Sequence, residues 1–312
     1  MIRTVSSMGG ICMATEKTHA GLTVVITGTS SGIGKGVAQQ LAAQGANVVL
    51  AARRTKEIEA LAEACGPNAI AVTTDVSREE DMARLFETTM GVFSSIDVWI
   101  NNAGIGTYGS FTDTPLKDLN RTVEINFLGA IYGSYYALNQ FKKQRYGTLI
   151  NVSSFASKMP LPFGAAYTGS KYGISGLSNG LYQEMRMDGF DDIHVCSVDP
   201  WVTDTPWTQH AGNYSGHEIL VGPADDPQKV VDTIIGLIDN PKKSVEIGAK
   251  SKGIAVAGSL MPKTAKGSTG RALFKMIQDA PPAPSTSGSL YESKTEGAEV
   301  SGNLRERLKN KK

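Results

Sequence analysis

The chain has 312 residues, 41% of them hydrophobic, enough to bury a sizeable core in one large α/β domain with appendages. Its 31 basic and 30 acidic residues leave a net charge of +1, which excludes an electrostatic case for nucleic acid, an anionic membrane or a polyanionic substrate. Three widely spaced cysteines, Cys12, Cys65 and Cys196, form no CxxC pair and fit a reducing, cytoplasmic location better than a disulfide framework or a zinc site.

No apolar run approaches the ~20 residues that cross a bilayer, and the stretch Gly253 to Met261 is far too short, so a soluble protein without a membrane span is expected. The first twenty residues lack an apolar signal core. Met13-Ala14 lies shortly before the first strand, which reads residues 1–12 as an upstream extension of the frame and residues 1–20 as a flexible N-terminal extension.

In chain order, Leu22 to Thr27 is a short buried strand, and Gly32 to Gln44 repeats apolar residues at helical spacing through Ile33, Val37, Leu41 and Ala42. Strand Asn47 to Ala51, a helix from about Lys56 and strand Ala69 to Thr73 continue the alternation. A helix capped by Ser77, with Glu79 and Glu80 in its first turn, precedes strand Ile96 to Ile100. A long helical stretch, Leu116 to Lys143, leads to strand Thr148 to Val152, helix Ala166 to Met187 and strand Ile193 to Val198. Strands that read as continuous apolar runs between helices call for a parallel sheet covered on both faces, a Rossmann-like doubly wound α/β fold in three layers.

Beyond Pro200 an irregular segment, about 201–223, is a candidate lid carrying Trp207, His210, Tyr214 and His217, followed by a helix near Gln228 to Ile238 and a strand at Val245 to Ile247. The catalytic domain is placed at 21–249 and a C-terminal extension at 250–312. From Ala280 the composition turns to proline, serine and charge, a tail that buries too little apolar surface to order itself alone.

The loop Gly28-Thr29-Ser30-Ser31-Gly32-Ile33-Gly34 joins the first strand to the first helix. Glycines there let the backbone approach a pyrophosphate at the helix N-terminus, a dinucleotide cradle. The same residues satisfy G-x-S-x-G, so a serine hydrolase with Ser30 as nucleophile is the rival reading, although Gly34 has no role in such an elbow. The Walker A pattern fails at Thr29 and Gly36. After the second strand, Ala52-Arg53-Arg54 puts guanidinium groups where an adenosine ribose would lie, which favours a 2′-phosphate, and hence NADP(H), over a free hydroxyl. Tyr167 and Lys171 stand four residues apart on one helix face, where an ammonium would lower the phenol pKa toward a useful acid/base range.

Taken together, these motifs closely resemble the short-chain dehydrogenase/reductase family over roughly Leu22 to Ile238. In order they are Thr27 to Gly34, Asp75-Val76, Asn101 to Gly104, Asn126, Ser153-Ser154 and Tyr167 with Lys171. The resemblance implies a seven-stranded parallel sheet and hydride transfer between NADP(H) and a carbonyl or alcohol. Tyr167 would protonate the substrate oxygen, Ser154 would hydrogen-bond it, Lys171 would bind the nicotinamide ribose and acidify Tyr167, and Asn126 would hold a relay water.

It further implies that Asp75 and Val76 meet the adenine, that Asn102, Ala103 and Gly104 line the cofactor wall, and that Pro200, Val202 and Thr205 lie near the nicotinamide carboxamide. A homodimer or homotetramer through the long fourth and fifth helices is also implied. Trp201 departs from the family's usual glycine after this proline. The segment Phe155 to Phe163, with Trp201, Trp207 and Tyr214, suggests an apolar substrate wall. No histidine spacing suits a metal. A non-catalytic NADPH-binding sensor is a third reading, against which the intact Ser154, Tyr167 and Lys171 argue.

Overall fold

The computed structural model describes residues 19–248 and 275–310, so the expectations for the first 18 residues, Cys12 and Met13 among them, and for the Gly253 stretch lie outside the described residues. Seven strands form one parallel sheet: β1 (Thr23–Thr27), β2 (Asn47–Ala52), β3 (Ala69–Thr73), β4 (Val98–Asn101), β6 (Gly147–Val152), β7 (Ile193–Pro200) and β9 (Ser244–Ile247). Their spatial order is β3-β2-β1-β4-β6-β7-β9, so the direction of winding reverses between β1 and β4. In open sheets of this kind, the crevice outside the strand C-termini at such a reversal is where ligands bind.

The side-chain period of two along each strand divides the core. Val24 and Ile26 face one way, where α1 (Gly32–Ala43), α2 (Thr55–Cys65) and α7 (Pro227–Asp239) cover them with Val37, Leu41, Ile58 and Ile234. Val25 and Val49 face the other way, beneath Met82 and Leu85 of α3 (Glu79–Phe93), Phe141 of α5 (Gly129–Gln144) and Met185 of α6 (Ala165–Met187). Every one of these core side chains is essentially inaccessible, as close packing on both faces of a parallel sheet requires. Among the described residues no helix is long and apolar enough to cross a membrane.

Four features depart from the expected elements. The residue before α3 is Arg78, and the Ser77 hydroxyl turns back to the Asp75 carboxylate instead of capping the helix. The long fourth helix is interrupted: α4 (Leu116–Val123) passes into a π-helical turn, Glu124–Leu128, before α5, and Asn126 sits inside that turn. A small second sheet pairs β5 (Thr107–Gly109) with β8 (Gly212–Tyr214), tying the candidate lid to the loop after β4.

The fourth concerns the tail. It does not order on its own but borrows the domain's surface: Leu290 is buried in the core layer with Trp99 and Phe141, and Leu304, at the start of a short C-terminal helix (Leu304–Asn310), packs with Leu220. The Asp204 carboxylate accepts the Leu304 backbone N–H at 2.6 Å and pairs with Arg305 at 3.0 Å, which fixes the helix to the loop after β7. Apolar residues too sparse to make a core of their own are enough to seal an existing one.

Candidate active site

The glycine loop leaves β1 at Thr27 and enters α1 at Gly32. A Cβ on Gly34 would stand 2.4 Å from the Gly28 carbonyl oxygen and 2.5 Å from Asn102 Nδ2, so the last glycine of the loop is required for helix and strand to approach. Gly28 has φ +75° and a Cβ there would lie 2.8 Å from Ala103 Cα. Asn102 fastens the cradle, donating from Nδ2 to the carbonyls of Thr27 at 2.9 Å and Gly28 at 3.2 Å. Thr27 Oγ1 in turn accepts the N–H groups of Asn102 at 3.0 Å and Ala103 at 3.1 Å. This backbone-lined trough at a helix N-terminus, where the Gly32 N–H meets the Glu299 carbonyl at 2.9 Å, has the form that a dinucleotide pyrophosphate requires.

Ser30 and Ser31 line the trough with Gly32 and Ile33. Ser30 Oγ accepts from Arg54 Nε at 3.0 Å, and no histidine among the described residues hydrogen-bonds to it. A hydroxyl held by a guanidinium has no base to activate it, so the hydrolase reading fails at the site.

At the adenosine end the cleft is lined by Ala52, Arg53, Arg54, Thr74, Asp75 and Val76. Burial works against the Asp75 carboxylate, but bonds from the Ser77 N–H and hydroxyl, together with Arg121 at 2.5 Å, hold its pKa below the usual range. Arg121 was not singled out in the sequence, where it reads as one more exposed cation on a helix. Both cleft arginines meet the chain's end: Arg53 donates to the carbonyls of Leu290 at 3.0 Å and Tyr291 at 3.3 Å and also to Ser289, and Arg54 donates to those of Lys294 and Glu296, each at 3.3 Å.

The catalytic corner sits where β6 and α6 meet. Ser154 follows β6 and opens a one-turn 3₁₀ helix, Phe155–Ser157, with its Oγ accepting the Ala156 N–H at 3.1 Å and hydrogen-bonding the Tyr167 phenol. Tyr167 lies in the first turn of α6, and Lys171, one turn on, places its ammonium 5.8 Å from the Tyr167 ring centre and donates to the Val152 carbonyl at 2.9 Å. All three are buried.

Burial pushes the Tyr167 phenol up to about 12, with the Ser154 hydrogen bond opposing. Burial also pushes Lys171 down to about 8, partly offset by the Asp199 carboxylate. Asp199, at the end of β7, is fully buried; burial raises its pKa while Lys158 at 3.7 Å and the Ser157 hydroxyl at 3.1 Å work against the rise. Only its place at a strand end beside Pro200 marked it in the sequence.

Asn126 meets the site from the π turn. Its Oδ1 accepts the Ile105 N–H at 2.8 Å, and Nδ2 donates to the Ile105 carbonyl at 2.8 Å and to Ser170 Oγ at 3.0 Å. A single π turn within an α-helix is a frequent mark of a functional site. Gly104 completes the wall; a Cβ there would lie 3.4 Å from both Asn126 Oδ1 and Lys171 Nζ.

Pro200, Val202 and Thr205 line the cleft. Trp201 also lines it, while stacking on Phe155 at 4.4 Å between ring centres and donating from Nε1 to the Pro223 carbonyl at 3.0 Å. Trp207 packs 5.0 Å from the Tyr167 ring, with Tyr108, Phe155, Leu161, Ile219 and Val221 nearby in the same cavity. Of the other lid residues, Tyr214, expected in the substrate wall, hydrogen-bonds Asp118, and His217 hydrogen-bonds the Ala280 carbonyl; neither lines the cleft. The β5–β8 pairing pins this stretch, which is why its aromatics do not all point inward.

The parallel sheet, the glycine cradle at its winding reversal and the buried Ser-Tyr-Lys corner define a dinucleotide-binding α/β protein with an acid/base group beside the cradle. Residues 22–214 match the short chain dehydrogenase family, and the chain belongs to it. It is therefore an oxidoreductase of the carbonyl–alcohol class with a nicotinamide dinucleotide as cofactor.

An uncharacterized oxidoreductase, YxnA of Bacillus subtilis, is 31% identical over 284 residues, covering 86% of this chain and 78% of that protein. The 11-beta-hydroxysteroid dehydrogenase A of Sesamum indicum is 32% identical, covering 72% of this chain and 65% of its own. Among solved structures, a short-chain dehydrogenase of Streptomyces avermitilis superposes with a TM-score of 0.70 at 24% identity, covering 82% and 98% of the two chains. A 3-ketoacyl-(acyl-carrier-protein) reductase of Brucella melitensis, complexed with NADH, does so at 0.66 and 24%, covering 74% and 99%. These likenesses bear on the fold.

Proposed function

We propose that the protein interconverts a carbonyl and a secondary alcohol on a hydrophobic small molecule with NADP(H), using Tyr167 as acid/base. The observation that carries this reading is the buried contact between the Ser154 hydroxyl and the Tyr167 phenol, with Lys171 one helical turn behind, at the end of the cavity that begins at the glycine cradle.

The nicotinamide dinucleotide, when bound, supplies or accepts the hydride. Gly28, Ser30, Ser31, Gly32, Ile33 and Gly34 would hold its pyrophosphate, Asp75 and Val76 its adenine, Asn102 to Gly104 one wall, and Pro200, Val202 and Thr205 the far end. With its pKa near 12, Tyr167 is protonated at neutral pH and serves as a donor to a substrate oxygen, and the Ser154 hydroxyl is placed to bond the same oxygen. Lys171, still cationic at pH 7, favours a phenolate when the proton leaves. The side-chain amide of Asn126 is engaged by Ile105 and Ser170, so it shapes the wall and leaves one lone pair of Oδ1 for a relay water.

Preference for NADP(H) rests on Arg53 and Arg54 in the cleft and on Ala52 where an acid would select a free hydroxyl. A cytoplasmic location fits the free thiols of Cys65 and Cys196. A homodimer or homotetramer fits exposed Tyr135 on α5 and exposed Tyr172 and Met187 on α6.

Names of relatives that act on hydroxysteroids agree with a bulky apolar substrate. The test is NADPH oxidation across steroids, aromatic ketones, aldehydes, keto acids and sugars. Turnover of the first two that Tyr167→Phe abolishes, with NADPH binding retained, is expected. Binding without turnover of any carbonyl would favour a redox sensor instead.

A further inference from the structure

Residues 289–299 run across the mouth of the cofactor cleft as a strap. Ser289, Ser293 and Lys294 line the same cavity as Ser30, Arg53, Arg54 and the Tyr167 corner. The strap's polarity is consistent along its length: backbone carbonyls face the domain. Arg53 and Arg54 donate to the carbonyls of residues 289, 290, 291, 294, 296 and 297, and the Gly32 N–H at the start of α1 donates to the Glu299 carbonyl at 2.9 Å. Leu290 on one side, and the Asp204 contacts with Leu304 and Arg305 on the other, anchor both ends.

This arrangement redistributes the donors at the ribose end. The terminal nitrogens of Arg53 and Nη1 of Arg54 are occupied by strap carbonyls, while Arg54 Nη2 donates to the Ser30 carbonyl at 2.9 Å and Nε to the Ser30 hydroxyl at 3.0 Å. Lys294 differs: its ammonium makes one long bond, to the Gln209 carbonyl at 3.3 Å, and no ion pair among the described residues. An ammonium carries three N–H donors, so it keeps donors for an anion. The three cations converge on His210, whose pKa is lowered first by burial and then by Arg54, Lys294 and Arg53. Three positive charges around one end of a cleft, one with donors to spare, is what a phosphate dianion requires.

We infer that the strap is the outer wall of the cofactor site and that Lys294 is the group that takes the ribose 2′-phosphate, while Arg53 and Arg54 hold the strap in place and add their charge. The inference rests on the NADP(H) reading above and adds a residue that the cradle motifs do not contain. It also assigns the C-terminal segment a share in cofactor selection.

Dissociation constants for NADPH, NADH, 2′,5′-ADP and 5′-AMP on the full chain, for wild type, Lys294→Gln and Lys294→Arg, test it. Wild type is expected to prefer the two 2′-phosphorylated ligands. Lys294→Gln is expected to weaken both by about tenfold, the scale of one charge-assisted contact, with NADH and 5′-AMP changed less than twofold, and Lys294→Arg to restore the preference. A wild-type preference that survives intact in Lys294→Gln overturns the role of Lys294 and leaves the NADP(H) reading standing. Equal loss for all four ligands makes Lys294 a general wall residue and overturns the specificity role. No wild-type preference overturns both.

Discussion

Asn126 and Ile105 clasp each other by both polar ends: the side-chain oxygen accepts the Ile105 N–H at 2.8 Å, and the side-chain amide donates to the Ile105 carbonyl at 2.8 Å. The π turn at Glu124–Leu128 sets the side chain at the height of the loop after β4. Removing it leaves a buried N–H and a buried C=O unpaired, each costing about 1–3 kcal/mol. Asn126→Ala is therefore expected to lose about 2–4 kcal/mol in urea denaturation and to lower kcat as the Gly104–Ile105 wall loosens. Stability and kcat both unchanged would show that the clasp does no positioning.

Lys171 gives the site a pH dependence of defined sign. Its pKa, pushed down to about 8 by burial, leaves it cationic below pH 8 and neutral above. If the ammonium binds the cofactor ribose, kcat/KM for NADPH, which reports the free enzyme, falls as pH rises through about 8. In Lys171→Arg the guanidinium stays charged, so that fall is expected to vanish, whatever the overall rate. Tyr167 contributes no alkaline limb below pH 10 in the free enzyme, since its phenol is pushed up to about 12. A wild-type profile flat from pH 6 to 10 would refute the assignment.

Much of this was legible in the sequence because the relevant signals are local. Continuous apolar runs such as Val24 to Ile26 and Val48 to Ala52 mark buried parallel strands, and Tyr167 and Lys171 share a helix face by spacing alone. What escaped depended on contacts between distant segments. Nothing near Leu290 announces a core residue, because its partners lie far along the chain: its side chain stands against Gly212 of β8, and Arg53 and Arg121 hold its carbonyl. The π turn was hidden because 3.6-residue periodicity on both sides of Asn126 reads as one helix. The raised phenol pKa of Tyr167 was missed because spacing reports the Lys171 charge but not the burial that outweighs it.

The packing of the tail is testable through Leu290, whose side chain is completely buried. Leu→Ala changes at such sites cost about 2–5 kcal/mol. That cost falls on the strap contacts first, since the central sheet keeps its own core. Limited proteolysis of Leu290→Ala is expected to cut within residues 280–300 much faster than in wild type, while the sheet domain persists as a stable fragment. Unchanged cutting would mean that the arginine–carbonyl bonds alone hold the strap.

The substrate end of the cavity allows a sharper expectation. Tyr108, Phe155, Leu161, Trp201, Trp207 and Ile219 surround the Tyr167 corner, and none carries a charge. A ketone entering this wall gives up hydrating water that it can spare; a carboxylate on the far side of the ring, away from Lys171, gives up far more and meets only apolar side chains. An uncompensated buried carboxylate costs several kcal/mol, and about 3 kcal/mol already corresponds to roughly 100-fold in kcat/KM. A flat aromatic ketone is therefore expected to exceed its ring-carboxylated analogue by about 100-fold or more. Val221 lies in the same wall, partly buried, so Val221→Arg would place a guanidinium within it. That variant is expected to narrow the gap by at least tenfold, chiefly by raising kcat/KM for the carboxylated compound. If wild type reduces both ketones equally well, the apolar wall does not contact the bound substrate and the substrate assignment falls.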